Sequence, residues 1–168
     1  MKNLKKDFAQ SIKENIFLKK KLINFSNEVN QIIKIIHKTL KNKNKVLICG
    51  NGGSAADAQH LSAEFLVRLR PNVNRRPLPI ISLALDTSTI TACGNDYDFD
   101  DLFARNFEAL AKKGDLLFCI STSGNSKNIL KVLKKAKDMK INSISFLGNK
   151  GGKAKKISKF NLIVPHSN

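Results

Sequence analysis

The sequence has no tryptophan and only one tyrosine among its 168 residues. Stacking platforms for single-stranded nucleic acid are therefore scarce. Acidic residues are also scarce: 13 Asp and Glu stand against 30 Lys and Arg, for a formal net charge of +17. The lysines are spread along the chain rather than gathered beside base-reading groups. They predict a basic surface that attracts anions, with no specific nucleic-acid partner. No apolar run reaches the ~18 residues needed to span a bilayer, so no membrane role is expected. The opening residues, Met1-Lys2-Asn3-Leu4-Lys5-Lys6-Asp7, lead into a polar segment without the apolar stretch of a signal peptide. Three cysteines, Cys49, Cys93 and Cys119, cannot all pair with one another. They predict small buried thiols in a reducing compartment, which points to a cytoplasmic protein. Of the four prolines, Pro71, Pro77 and Pro79 cluster and mark a single loop.

What is present is a regular alternation. A chain of this length suits one domain. Residues 9–41 place Ile12, Ile16, Leu22, Phe25, Val29, Ile32, Ile33, Ile36 and Leu40 mostly three or four apart, with lysines between. That spacing predicts one long amphipathic helix, longer than one domain face needs and so packed partly on a partner chain. The run Lys41-Asn42-Lys43-Asn44-Lys45 ends it. Apolar runs at 46–49, 80–85, 115–120, 143–147 and 160–164 then alternate with helical patterns at 54–69, 98–110 and 127–139. Strands apolar on both faces predict an α/β three-layer sandwich around a central five-stranded parallel sheet, with right-handed crossovers. No internal repeat or second domain is visible, and 1–168 reads as a single unit.

Two predicted loops leave strand carboxyl ends and open helices, where ligands bind in open α/β sheets. The first, Gly50-Asn51-Gly52-Gly53-Ser54, lets backbone N–H groups approach an anion, though a tight strand-to-helix turn needs the same glycines. It matches neither the dinucleotide nor the P-loop spacing. The second, Ser121-Thr122-Ser123-Gly124-Asn125-Ser126, sets four hydroxyls around one glycine at a helix start. Capping needs one such residue; four favour a phosphate cradle. His60 and Glu64 lie four apart, on one helix face. Such a pair can be merely exposed, can share a metal, or can place a carboxylate base beside an imidazole. Arg68 continues that face and suits a phosphate or carboxylate. Asn95 and Asp96, in Gly94-Asn95-Asp96-Tyr97, read alone as a turn.

Together, Gly50 to His60, Glu64, Gly94-Asn95-Asp96, Ser121 to Ser126 and Gly151-Gly152-Lys153 resemble the phosphoheptose isomerases of the SIS (sugar isomerase) group. The resemblance runs in order from about residue 7 onward. It implies the SIS fold and conversion of sedoheptulose 7-phosphate to D-glycero-D-manno-heptose 7-phosphate through an enediol, supplying heptose for surface polysaccharide such as lipopolysaccharide. It implies that Ser121, Thr122, Ser123 and Ser126 hold the phosphate. Asn51, Gly52, Gly53, Asn95 and Asp96 would orient the sugar, and Glu64 would be the base. His60 and Glu64 would be two ligands of a Zn2+ ion. It also implies a homotetramer, with residues 1–45 as an oligomerisation segment.

The family pattern continues into a further helix that supplies a glutamine and a histidine to the site. The sequence ends at Asn168, and His166 precedes that position, so no role is carried onto it. The alternative expectation is a non-catalytic SIS protein binding a sugar phosphate or a replication initiator protein. A catalytic glutamate at 64 argues for the isomerase.

Overall fold

The apolar runs become strands because each has to be covered on both sides. All four residues of β1 (Val46–Cys49) are buried. β3 (Leu116–Ser121), β4 (Asn142–Gly148) and β5 (Phe160–Val164) follow the expected runs, and β2 (Ile80–Ser82) is shorter than its apolar stretch. This computed structural model describes residues 3–84 and 86–165. The five strands are parallel, in the order β2-β1-β3-β4-β5.

Alternate residues feed two cores. Leu47, Cys49, Leu117 and Cys119 meet Phe103, Phe107, Ile129 and Leu133 on one face. Val46, Ile48, Leu116 and Phe118 meet Ile32, Leu40 and Ala58 on the other. The helices that cover these faces are α2 (Ser26–Lys41) and α3 (Gly53–Leu66) on the second, and α5 (Leu102–Leu110) and α6 (Lys127–Asp138) on the first. The three-layer sandwich expected from the sequence is therefore the observed fold.

Three expectations change. The single helix over 9–41 is α1 (Leu4–Leu22) and α2, separated by a 3-10 turn at Ile23–Phe25. The break falls where the chain passes from an uncovered to a covered helix: α1 buries no residue, whereas α2 buries Ile32, Thr39 and Leu40. The helix expected at 98–110 begins as a 3-10 turn, Phe99–Asp101, ahead of α5. Before it lies an unforeseen helix, α4 (Thr87–Asp96). Its start is capped by Asp86, whose carboxylate accepts from the Thr89 N–H at 2.8 Å and from the Thr89 hydroxyl. Those bonds, the backbone one first, hold the Asp86 carboxyl below its ordinary value. Threonine-rich sequence with one glycine hid a helix that its cap and the burial of Cys93 sustain.

The cysteines are free and buried, as expected. Cys49 and Cys119 are register partners, with Sγ atoms 3.6 Å apart. Burial, then the neighbouring Cys49, push the Cys119 thiol up, so it stays protonated.

At the amino ends of β1 and β3, the buried Asp115 accepts from the Lys45 N–H, the Lys112 N–H and the Lys45 ammonium. It ties the two central strands together. Replacing Asp115 by alanine strands those donors and is expected to destabilise the protein by about 3 kcal/mol, measured by urea unfolding.

Candidate active site

The strand order reverses direction at β1 and β3: the chain leaves β1 toward one sheet edge through α3 and leaves β3 toward the other through α6. The crevice at such a switch point opens above the strand carboxyl ends. The two loops singled out in the sequence meet there. Asn51, Ser54, Ser121, Thr122, Ser123 and Ser126 line one cavity of about 150 Å3. It adjoins a groove of about 280 Å3 that shares Ser54, Ser121 and Thr122 and adds Leu18 of α1 and Asp57 of α3.

The hydroxyl loop is shaped by its own side chains. Ser121 Oγ accepts from the Gly124 N–H and Ser123 Oγ from the Asn125 N–H, each at 3.1 Å. Both use an oxygen lone pair and keep the O–H for a ligand. Ser126 is the N-cap of α6 yet makes no side-chain capping bond. Its hydroxyl is left to the cavity, and the Lys127 and Asn128 N–H groups that open α6 add donors and the positive end of the helix dipole. Neutral donors converging on one point at a helix start bind an anion such as phosphate.

Gly151-Gly152-Lys153 buttresses this loop from behind. The Ala154 N–H donates to Gly124 O at 2.9 Å and the Lys153 N–H to Asn125 Oδ1 at 3.0 Å. Gly124 has φ +62, and a Cβ there would overlap Gly151 O and lie 2.6 Å from Gly151 C. Backbone against backbone leaves no room for a side chain, which explains glycine on both sides of the contact.

The first loop turns through Gly52, at φ +54, into α3. Along α3, His60 Nε2 and Glu64 Oε1 lie 3.6 Å apart, as their spacing predicted. His60 is largely exposed; Glu64 is mostly covered, and its Oε2 is shielded with no partner in the chain. Arg68 is not on that face. The helix ends at Leu66, where Arg75 takes the Glu64 and Phe65 carbonyls, and Arg68 donates to Pro71 O from an exposed position. Asn95 and Asp96 are the last turn of α4 rather than a free turn, with Asn95 Nδ2 donating to Asp96 Oδ1 at 2.8 Å. Asp96 lines a separate cavity with Tyr97 and Arg105, whose guanidinium lies 3.7 Å over the Tyr97 ring.

The structure thus brings together the phosphate-side residues within one chain and leaves His60, Glu64, Arg68, Asn95 and Asp96 outside that cavity. Ser54 and Glu64 are ten positions apart, which is about 15 Å along a helix rising ~1.5 Å per residue. His60 and Glu64 are suitable zinc donors, and the shielded Glu64 Oε2 is an unfilled acceptor. Among the described residues no third His, Cys, Asp or Glu joins them. Two donors are too few for a tight zinc site, so among the described residues the ligand set is incomplete.

Sequence reasoning missed Asn128. It is buried in the first turn of α6 and pairs with Asn51. The available signal was an asparagine placed two residues after a serine N-cap, where its side chain competes for backbone donors.

The pattern of the SIS domain family matches residues 9–148. The phosphoheptose isomerase of Helicobacter pylori is 49% identical over 148 residues, covering 88% of this chain and 76% of that protein. That of Clostridium acetobutylicum is 45% identical over 164 residues, covering 95% and 83%. Among solved structures, the phosphoheptose isomerase of Neisseria gonorrhoeae superposes with a TM-score of 0.89 at 37% identity, over 99% of this chain and 89% of that one. The Francisella tularensis phosphoheptose isomerase gives 0.90 at 35%, over 100% and 88%.

Proposed function

The chain belongs to the phosphoheptose isomerase branch of the SIS domain family, and from that premise we propose that it interconverts sedoheptulose 7-phosphate and D-glycero-D-manno-heptose 7-phosphate. The observation that carries the substrate class is the cavity at the switch point, where Ser121, Thr122, Ser123 and Ser126 face Asn51 and Ser54. These hydroxyls hold the phosphate, and Arg68 is a further candidate for it from outside the cavity. Asn51, Gly52 and Gly53, with Asn95 and Asp96, orient the sugar. Glu64 takes the proton from one of C1 and C2 and returns it to the other, through an enediol. Mostly covered from water, with one oxygen free of partners, it is placed to hold a proton between the two transfers.

Glu64 lies well away from the phosphate loop of its own chain, so the site is completed by another copy. α1 supports this: its 19 residues bury nothing, and Phe8, Ile12, Ile16 and Phe17 remain 70%, 46%, 50% and 61% exposed. An unpartnered apolar stripe of that size marks an interaction surface. We read the assembly as a homotetramer. Changing Phe8, Ile12 and Ile16 together to serine is expected to yield a smaller particle by light scattering and to abolish turnover while phosphate binding survives.

Zinc belongs to the proposal only with ligands from outside the described residues. When bound it would be held in part by His60 and Glu64 and would stabilise developing negative charge on the substrate oxygen as a Lewis acid. The proton transfer assigned to Glu64 does not pass through it. The product would feed heptose into surface polysaccharide, including lipopolysaccharide, from the cytoplasm. The test is incubation with sedoheptulose 7-phosphate, with and without added zinc, followed by NMR for the aldose. Absence of aldose in both arms, with the sugar phosphate still bound, would reduce the protein to a binding module.

A further inference from the structure

Asn128 is 2% exposed, so its amide has to be satisfied inside the protein. Its Oδ1 accepts from the Ile129 N–H at 2.9 Å, which fixes which side-chain atom is oxygen. The same Oδ1 accepts from Asn51 Nδ2 at 2.9 Å, and Asn128 Nδ2 donates back to Asn51 Oδ1 at 2.9 Å. The partners are 77 positions apart, one in the turn after β1 and the other in the helix after β3. Among the described residues these are the side-chain hydrogen bonds that join the two ligand loops across the switch point.

A reciprocal amide pair fixes the plane as well as the position of both amides. Asn51 lines the cavity. With one N–H and one lone pair engaged by Asn128, it has one N–H and one lone pair left, aimed in a direction that Asn128 sets. The turn behind it is short: the Ser54 N–H donates to Asn51 O and the Ala55 N–H to Gly52 O, both at 3.0 Å. Orienting Asn51 therefore orients the start of α3 and the glycine backbone beside the ligand.

We propose that the Asn51–Asn128 pair is a latch that sets the glycine turn against the hydroxyl loop, and that Asn128 is a positioning residue for sugar-phosphate binding acting through Asn51. This rests on the sugar-phosphate reading of the cavity. The latch governs the sugar side of the site more than the phosphate side, because the hydroxyl loop is held by its own bonds and by Gly151-Gly152.

The test compares Asn128→Ala, Asn51→Ala and the double variant with the full chain. Calorimetry measures binding of sedoheptulose 7-phosphate and, separately, of inorganic phosphate. Hydrogen exchange follows the Ser54 and Ala55 amides without ligand. Asn128→Ala is expected to weaken sugar-phosphate binding about tenfold, the size expected for one lost buried pair, and Asn51→Ala, which also removes a direct contact with the sugar, at least as much. Inorganic phosphate should lose much less. The double variant should be little worse than Asn51→Ala alone, because Asn128 acts through Asn51. The two amides should exchange faster in Asn128→Ala. A purely helix-capping role for Asn128 predicts additive losses, equal effects on both ligands and unchanged exchange; any of these overturns the latch. If Asn128→Ala does not fold, Asn51→Ala breaks the same pair from the less buried side, and faster exchange of the Ser54 and Ala55 amides without ligand is expected of it; unchanged exchange overturns the latch. A wild-type chain that binds neither ligand counts against the isomerase reading alone, since the exchange measurement needs no ligand.

Discussion

Glu64→Gln is expected to slow isomerisation by about 10^2- to 10^4-fold, the range for loss of a placed general base. Glutamine keeps the shape of the side chain and removes its ability to take a proton at pH 7. The residue sits inside α3, mostly covered, with Oε1 3.6 Å from His60 Nε2 and Oε2 without a partner. The variant should therefore fold and melt like the parent. Its phosphate affinity should also be unchanged, because Glu64 does not line the cavity formed by Ser121, Thr122, Ser123 and Ser126. The expected signature is a collapse of kcat with inorganic phosphate binding intact, read by NMR turnover and calorimetry on the same preparation. Turnover within a few-fold of the parent would remove Glu64 from the proton path and leave the pair with His60 as an exposed helical contact.

The second large effect is expected at Gly124. Its φ of +62 is a conformation that side chains rarely adopt, and an added Cβ would overlap Gly151 O and lie 2.6 Å from Gly151 C. Those atoms are backbone and cannot swing aside. Gly124→Ala is expected to cost about 2–4 kcal/mol, combining the left-handed penalty with displacement of the buttress. It should also abolish phosphate binding, because the Gly124 N–H is what Ser121 Oγ holds. Gly53→Ala is the matched control. It adds a Cβ with nothing within 4 Å at the first residue of α3, where alanine favours the helix. It should leave stability equal or slightly raised. Urea unfolding of both variants beside the parent separates a general intolerance of change near the site from the specific close approach at Gly124. Equal stability of Gly124→Ala and the parent would mean that the Gly151-Gly152 turn does not press on the loop.

The elements that local pattern could carry were legible before the fold was seen. Val46 to Cys49 and Phe160 to Val164 are strands where continuous apolar runs placed them, and α6 begins at Lys127, just after the hydroxyl loop. His60 and Glu64 face one another because helical spacing alone brings positions four apart together. α4 was not legible: its threonines and glycine have weak helix propensity, and the Asp86 cap and Cys93 packing that sustain it are tertiary or single-residue effects. Arg68 was misplaced for a similar reason. The periodicity ran on past Leu66, but Arg75, eleven residues beyond Glu64, takes the helix-end carbonyls and turns the chain away.

The alternation of strand and helix, the two loops at strand ends and the family to which their residues point were all readable from the amino-acid order. Each depends on neighbours a few positions apart. Folding in three dimensions was needed to bring the loops face to face across β1 and β3, to join them through Asn128 and Asn51, and to stand Glu64 apart from the phosphate cavity of its own chain. Those relations follow from strand order and register, which link residues about 70 positions apart and which no local period encodes.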